Sequence, residues 1–194
     1  MASEVDYEFS LAGKVAVVTG GASGIGAAIG DACAVKGATV VVLVLAVDAA
    51  QGKVSVGSAA AAFGCDVTNE QSLIDVIDAV NRQFGRIDVL VNSAGIAVTD
   101  TAEQLAVREW DQTMAINLRG AFLVSQQIGR IMLAQGSGTV ISLAPQAATI
   151  ALPGHLAYCP SKAGLVGMTK PVTSSVSRTP SQRRGQRAPP SAQG

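Results

Sequence analysis

The sequence is poor in aromatic residues, cysteine and histidine, and it carries no net charge. Aromatic side chains make up 4% of the 194 residues, whereas alanine, valine, isoleucine and glycine dominate. Such small residues suit helices that pack closely on a parallel sheet. Because the formal net charge is zero, no overall field attracts nucleic acid or an anionic membrane. We therefore expect no nucleic-acid partner and no membrane partner.

The cysteines and the N-terminus argue against a secreted protein. Cys33, Cys65 and Cys159 are odd in number and form no C-x-x-C pair, which fits small buried residues in a reducing compartment better than disulfides or a metal site. The first ten residues are acidic and lack the apolar segment of a secretory signal. The longest apolar run, 38–47, is too short to span a bilayer. We expect a soluble, cytoplasmic protein without a metal.

Short apolar runs alternate with amphipathic segments along most of the chain. The runs predict strands over Lys14–Thr19, Thr39–Leu45, Ala60–Cys65, Asp88–Asn92 and Thr139–Leu143. The helical periods predict helices over Gly24–Lys36, Asn69–Phe84, about Arg108 to Gln135, and Ala157–Thr169. This alternation indicates an α/β fold, a Rossmann-type doubly wound parallel sheet in three layers.

The composition changes after Lys170. Residues 171–194 hold four arginines, no acid and four of the seven prolines, with almost no large apolar residue. Such a segment cannot bury enough surface to offset the cost of ordering. We predict a dinucleotide-binding domain over 1–170 and a disordered basic tail rich in proline, serine and arginine over 171–194. A basic tail could contact nucleic acid, but an inert extension is the favoured interpretation.

The stretch T-G-G-A-S-G-I-G, residues 19–26, lies between a predicted strand and a predicted helix. Gly20 would let the chain turn tightly, Gly24 would let the backbone approach a pyrophosphate, and Gly26 would let helix and strand pack closely. The helix N-terminus, at Ser23 and Ile25, would present amide groups and a positive dipole end to phosphates. The pattern predicts a dinucleotide site, and the alternative is a glycine-rich turn that serves packing alone.

The choice between NAD and NADP stays open in the sequence. The acid that binds the adenosine ribose is expected about 20 residues beyond the glycines. Residues Val44–Ala46 stand there, and the nearest acid is Asp48. No arginine is near to accept a 2′-phosphate, which favours NAD.

Five motifs together resemble the short-chain dehydrogenase/reductase family. They are T-G-G-A-S-G-I-G at 19–26, Asp66-Val67, N-S-A-G at 92–95, Asn117 within M-A-I-N-L-R-G, and Y-C-P-S-K at 158–162. The segment from W-D-Q-T-M-A-I-N-L to A-L-P-G-H-L-A-Y is most similar to the branch that acts on sugar alcohols and small diols. The resemblance implies a cofactor, NAD or NADP, and a small alcohol or ketone as substrate. It also implies a homo-oligomer, either a dimer or a tetramer.

The resemblance also implies roles for residues outside the glycine turn. Asp66 and Val67 would bind the adenine, while Asn92, Ala94 and Gly95 would stabilise the sheet and line the cofactor site.

Tyr158 and Lys162 would lie one helical turn apart on a shared face. A tyrosine near an ammonium group has a lowered pKa and can exchange a proton with an alcohol. The family pattern implies that Lys162 also holds the ribose and that Asn117 holds a water connecting the lysine to solvent.

Pro145 departs from the family pattern at a catalytic position. It stands thirteen residues before Tyr158, where the family has a serine that donates a hydrogen bond to the substrate oxygen. Proline has no donor, and the loss of one such donor typically costs about 3 kcal/mol of barrier. Ser142 would point to the opposite side of an extended chain. We expect slow or undetectable turnover, and a catalytically impaired dinucleotide-binding relic is the alternative.

Two features remain beside these motifs. The family continues past this point with further strands, so we expect that the chain lacks the last family strands and is truncated or frame-shifted after residue 170. His155, the sole histidine, precedes the helix of Tyr158, and it is either a solvated side chain or a substrate contact.

Overall fold

A computed structural model describes residues 9–45 and 61–176, with side chains through Thr169, and its strands lie at the predicted apolar runs. The strands are β1 (Val15–Thr19), β2 (Thr39–Val44), β3 (Ala61–Gly64), β4 (Val89–Asn92) and β5 (Thr139–Ser142). They pair in parallel in the order β3-β2-β1-β4-β5. The strand order changes direction between β1 and β4, where open α/β sheets form a crevice at the carboxyl ends of the strands. The α/β prediction is confirmed.

Within the described residues, five helices connect and cover these strands. They are α1 (Gly24–Val35), α2 (Glu70–Phe84), α3 (Val107–Met114), α4 (Ala121–Gln135) and α5 (Tyr158–Val176). The sequence predicted one helix from about Arg108 to Gln135, but a π-helical segment, Ala115–Gly120, separates α3 from α4. A 3₁₀ turn, Gln146–Ala148, follows β5. Neither feature has a sequence signature that hydrophobic periodicity would detect.

Both faces of the central strands β1, β2 and β4 are buried, which gives three layers. Val15 and Val17 of β1 face a core formed with α2 and α4, whereas Ala16 and Val18 face a second core formed with α1. Strands buried on both faces have continuous apolar sequences, which explains why β1 and β2 show no polar alternation. Within the described residues β5 pairs only with β4, and Ile141 on it is 44% exposed.

Asp88 joins the amino ends of β1 and β4. Its carboxylate accepts hydrogen bonds from the amide of Val15 at 3.0 Å and from Nε of Arg86 at 2.7 Å, and Lys14 Nζ lies 3.5 Å away. The hydrogen bond from Arg86 is the main reason that the pKa of Asp88 is lowered, although burial opposes it. The network fixes the register of the two central strands.

Helix α5 extends past the predicted boundary of the folded domain. Residues 171–176, which were predicted to be disordered, continue the helix that begins at Tyr158. Proline has no N–H to donate, so the helix continues past Pro171 without the hydrogen bond that another residue would make there. The rest of the predicted tail, 177–194, lies outside the described residues.

The described ranges contain no helix with the length and hydropathy needed to cross a membrane. In the same ranges, no three potential metal-ligating side chains come together.

Candidate active site

The glycine turn after β1 lies against the loop after β4 with no room for side chains. Gly20 has a φ of 66°, and its amide donates to the carbonyl of Leu43 at 2.8 Å. A Cβ added at Gly20 would lie 2.9 Å from the Cα of Ala94. One added at Gly26 would lie 2.6 Å from the carbonyl oxygen of Gly20. Only glycine at these two positions lets the turn, α1 and the neighbouring loop touch.

In the described part of the chain, the N-terminus of α1 has neither a side-chain cap nor an acidic residue in its first turn. Ser23 is the N-cap residue, yet its side chain makes no capping hydrogen bond, and the first turn holds no acid. The amides of the first turn have no intrahelical acceptor, and they carry the positive end of the helix dipole. This arrangement suits an anionic phosphate group.

Thr19 holds the loop after β4 in place. Its buried hydroxyl oxygen accepts hydrogen bonds from the amides of Ser93 and Ala94, each at 3.1 Å. These bonds fix the loop beside the glycine turn. No motif or spacing predicts this role for Thr19, although it is the first residue of the T-G-G-A-S-G-I-G stretch.

Asn92 ties three elements together beneath the loop. Its Nδ2 donates to Oγ of Ser125 in α4 at 2.9 Å and to Oγ of Ser142 in β5 at 3.4 Å. Its Oδ1 is buried and has no partner among the described residues. Asn92 therefore lies in position to stabilise the sheet, away from any open surface.

Asn117 lies in the π-helical segment and clamps the loop after β4. Its Oδ1 accepts from the amide of Ile96 at 2.8 Å, and its Nδ2 donates to the carbonyl of Ile96 at 2.8 Å and to Oγ of Ser161 at 3.1 Å. Both side-chain N–H groups are thus used within the protein. They cannot also hold the water that the family pattern implies, so any such water must bind another atom. Segments of π-helix occur frequently at functional sites.

Ser161 links Asn117 to the helix of Tyr158. Its hydroxyl is fully buried and donates to the carbonyl of Tyr158 at 2.7 Å while accepting from Asn117. The sequence offered a signal for this residue, because it stands inside the Y-C-P-S-K motif.

Tyr158 and Lys162 lie together at the start of α5, as their spacing predicts. Nζ of Lys162 is 5.7 Å from the centroid of the Tyr158 ring, and it donates to the carbonyl of Leu143 at 3.1 Å. The lysine is 4% exposed, and burial lowers its pKa. An ammonium group has three donors, and among the described residues one of them has a protein acceptor, the carbonyl of Leu143.

The pKa of Tyr158 is raised, whereas the nearby Lys162 was predicted to lower it. Burial is the main cause, and charge repulsion with Cys159 adds to it. The expectation failed because desolvation of the phenolate outweighs the effect of an ammonium group that lies beside the ring and bonds to Leu143.

Pro145 lies on the wall of the cavity, next to Leu143 and Ala144. This stretch carries no side-chain donor. Oγ of Ser142 is 3.4 Å from Nδ2 of Asn92, and Ser142 does not border the cavity. The substitution at the serine position is therefore not compensated by the neighbouring serine, as the alternation of an extended chain predicts.

A cavity of about 580 Å³ opens at the carboxyl ends of β1, β4 and β5. Eight of the predicted site residues border it: Gly20, Ser23, Ile25, Gly26, Ala94, Gly95, Tyr158 and Lys162. Five do not: Gly24, Asp66, Val67, Asn92 and Asn117. The tertiary structure thus brings the glycine turn and the Tyr158–Lys162 pair to one cavity from distant parts of the sequence.

Asp66 and Val67 follow β3, two strands away from β1. Oδ1 of Asp66 accepts from the amide and the hydroxyl of Thr68 at 2.8 and 2.7 Å. Val67 packs closely on Gly120. A Cβ added at Gly120 would lie 2.8 Å from Cγ2 of Val67. Contact of this pair with an adenine stays a prediction.

The end of β2 differs from the expected ribose anchor. Val44 is buried and Leu45 is 78% exposed, and neither can bond to a hydroxyl. Asp48, the nearest acid in the sequence, lies outside the described residues.

The residues around the cavity fit a nicotinamide dinucleotide in two of three places. The uncapped N-terminus of α1 suits the phosphates. The buried ammonium of Lys162, with one protein acceptor, suits hydroxyl groups such as those of a ribose. The apolar end of β2 does not supply the acid that usually holds the second ribose.

Comparison with known proteins agrees with this geometry. D-threitol dehydrogenase of Mycolicibacterium smegmatis is 49% identical over 170 residues, which are 86% of this chain and 65% of that protein. NAD-dependent glycerol dehydrogenase of Listeria innocua is 43% identical over 166 residues, 85% of this chain and 65% of that protein. A solved structure of NAD⁺-bound xylitol dehydrogenase superposes with a TM-score of 0.81 at 30% identity, covering 85% of this chain and 65% of that chain.

The chain thus spans about two thirds of the length of each of these relatives. The sequence pattern of the family described as short chain dehydrogenase matches residues 14–179, which is most of the chain. On this match, with the parallel sheet and the cavity at its carboxyl edge, the chain belongs to the short-chain dehydrogenase family.

Proposed function

We propose that the protein interconverts a secondary alcohol, namely a polyol or small diol, and its carbonyl compound, with NAD or NADP as cofactor. Tyr158 is the acid and base, and Lys162 binds the cofactor ribose and stabilises the phenolate. Gly20, Ser23, Gly24, Ile25 and Gly26 hold the phosphates in this proposal. Asp66, Val67, Asn92, Ala94 and Gly95 complete the cofactor site.

One observation carries the proposal: Tyr158 and Lys162 border the same cavity as the uncapped N-terminus of α1. With its phosphates bound at the N-terminus of α1 and a ribose bound at Lys162, the cofactor would extend across this cavity. A bound nicotinamide would supply the hydride acceptor for oxidation or the hydride donor for reduction.

The protein's own part of the reaction is proton transfer at Tyr158 Oη. In alcohol oxidation the phenolate takes the hydroxyl proton as hydride leaves the carbon, and in reduction the phenol protonates the forming alkoxide. Because burial raises the pKa of Tyr158, the group is well suited to the acid role at neutral pH. The lowered pKa of Lys162 has the same cause, and bonding to the carbonyl of Leu143 keeps the ammonium near the ring.

Asn117 acts in this proposal through position rather than contact. It does not border the cavity, but it clamps Ile96 of the cavity wall and reaches Ser161 next to Lys162. A Cβ added at Gly95 would lie 3.1 Å from Oδ1 of Asn117 and 3.5 Å from Nζ of Lys162. The clamp therefore sets the distance between the loop and the lysine.

The relatives support the substrate class and the preference for NAD. Their names specify D-threitol, glycerol and xylitol as substrates, and two of them specify NAD. Each substrate has hydroxyl groups on neighbouring carbons. We extend this class of substrate, and NAD as the preferred cofactor, to the present chain.

Pro145 favours a second candidate, a dinucleotide-binding protein with little or no turnover. The proline replaces a hydroxyl donor on the cavity wall, where a donor typically contributes about 3 kcal/mol to lowering the barrier. Binding of the cofactor does not need that donor.

A titration followed by an activity screen separates the two candidates. NADH and NADPH are titrated by fluorescence, and D-threitol, xylitol and glycerol are then tested with NAD and NADP by absorbance of the reduced cofactor. Binding of NADH with slow, measurable oxidation supports the enzyme, and binding without turnover supports the second candidate. Failure to bind either dinucleotide contradicts both, and Tyr158→Phe is the control that should bind but not oxidise.

A further inference from the structure

His155 has no role in the proposed function, yet it touches the ring of the proposed catalytic residue. The imidazole and the Tyr158 ring meet edge to face, with centroids 6.1 Å apart and planes at 66°. Such pairs hold each other in a preferred orientation. His155 itself does not border the cavity, but its ring contacts that of Tyr158, which does.

A backbone carbonyl fixes the tautomer of His155. Nδ1 lies 2.9 Å from the carbonyl oxygen of Pro153, which can only accept a hydrogen bond. Nδ1 must carry the proton in the neutral imidazole, so Nε2 has the lone pair and accepts. In the part of the chain that the structure describes, no group bonds to Nε2.

The loop that carries His155 is held at both ends. The amide of Asp100 donates to the carbonyl of Gly154 at 2.9 Å, and the carbonyl of His155 accepts from the amide of Cys159 at 3.0 Å. Gly154 has a φ of 73°, and a Cβ there would lie 3.1 Å from Cγ2 of Thr99. A site on a fixed backbone holds its geometry more accurately than one on a loose loop.

The stretch of cavity wall that follows β5 has no polar side chain for a second hydroxyl group. Leu143, Ala144 and Pro145 have no side-chain donor or acceptor. A polyol bound at Tyr158 would bury hydroxyl groups, and each buried hydroxyl needs a partner.

We propose that His155 selects substrates that carry a second hydroxyl group near the reacting carbon. Nε2 accepts a hydrogen bond from that hydroxyl while the reacting hydroxyl bonds to Tyr158. The inference rests on the proposed function and names the residue that distinguishes a polyol from a monohydric alcohol.

Two substitutions test this role. His155→Phe keeps a ring against Tyr158 but has no acceptor, and His155→Gln keeps an acceptor on a flexible chain. We expect His155→Phe to lower kcat/KM for D-threitol about tenfold, the effect of one neutral hydrogen bond, and to leave kcat/KM for 2-butanol within about twofold. His155→Gln should recover part of the loss for D-threitol. Thermal melting checks that all three proteins are folded.

Equal losses on D-threitol and 2-butanol would show that His155 only positions Tyr158, and no loss on either would show that it contacts no substrate. If the native chain oxidises no alcohol, that result refutes the proposed enzymatic function, and the inference about His155 needs a separate test. His155 is then tested by calorimetric binding of D-threitol to the NADH-saturated chain. About tenfold weaker binding in His155→Phe supports the inference, whereas equal binding, or no binding to the native chain, overturns it.

Discussion

Replacing Pro145 with serine should restore the missing donor. Pro145 borders the cavity, and its backbone lies at φ −72° and ψ 177°, which serine adopts without strain. Its carbonyl accepts from the amide of Ala148 at 2.9 Å, and this bond does not depend on the side chain. The substitution therefore adds a hydroxyl to the wall and leaves the 3₁₀ turn in place.

The expected gain follows from the worth of one preorganised donor. A donor aimed at the substrate oxygen contributes about 3 kcal/mol, which corresponds to roughly a hundredfold to a thousandfold in kcat. Removing the proline ring raises the entropy of the unfolded chain and should lower the free energy of unfolding by about 0.4–1 kcal/mol. Activity should thus rise while stability falls slightly.

The assay measures formation of NADH from NAD and D-threitol, with Pro145→Ala as the matched control. Alanine removes the ring as serine does but adds no donor. We expect serine to exceed alanine by about a hundredfold or more in kcat. If the two variants are equally active across D-threitol, xylitol and glycerol, the missing hydroxyl does not limit the reaction and the argument from Pro145 is wrong.

Gly26→Ala should weaken NADH binding at least about tenfold in a fluorescence titration, because the added Cβ would lie 2.6 Å from the backbone of the glycine turn. Gly129→Ala, with no atom within 4 Å, should not weaken it, and equal effects would contradict the packing argument. Asp88→Asn should lower the free energy of unfolding at pH 7 by about 1–3 kcal/mol, measured in urea, because the charged bond to Arg86 is lost. The pKa of Asp88 is lowered in the folded protein, so its contribution is present above the unfolded pKa of about 3.9 and is lost as pH falls through the folded value. The difference between the two proteins should shrink below about pH 4, and a constant difference would exclude the ionic origin. The raised pKa of Tyr158 predicts that kcat/KM for alcohol oxidation rises steadily with pH from about 6 to 10; a flat profile would argue against the phenolate as base.

The order of strands and helices could be predicted because each element carries its own pattern. Continuous valine runs predict β1 and β2. The observed helices Gly24–Val35 and Glu70–Phe84 begin and end within two residues of their predicted bounds. The π-helical segment around Asn117 could not be predicted, because it depends on the clamp to Ile96 and Ser161 from elsewhere in the chain. Those contacts have no local period.

Sequence motifs predict the residues of the candidate site, but they do not predict the environments of those residues. The pKa of Tyr158 depends on burial, and burial results from how α5 packs on the rest of the molecule. The hydrogen bond from Lys162 ends on the carbonyl of Leu143, a group that every residue has and no sequence pattern marks. Thr19 can hold the loop after β4 only because its hydroxyl oxygen lies 3.1 Å from the amide nitrogens of Ser93 and Ala94 in the folded chain.

The sequence by itself determined the α/β order, the glycine turn, the Tyr158–Lys162 spacing and the absence of a donor at Pro145. These are properties of neighbouring residues, for which the geometry of a strand, turn or helix is sufficient. The tertiary structure decided which residues share the cavity, the direction in which the pKa of Tyr158 moves, and the place of His155 beside it. These depend on distances between segments far apart in the chain, and only packing sets such distances.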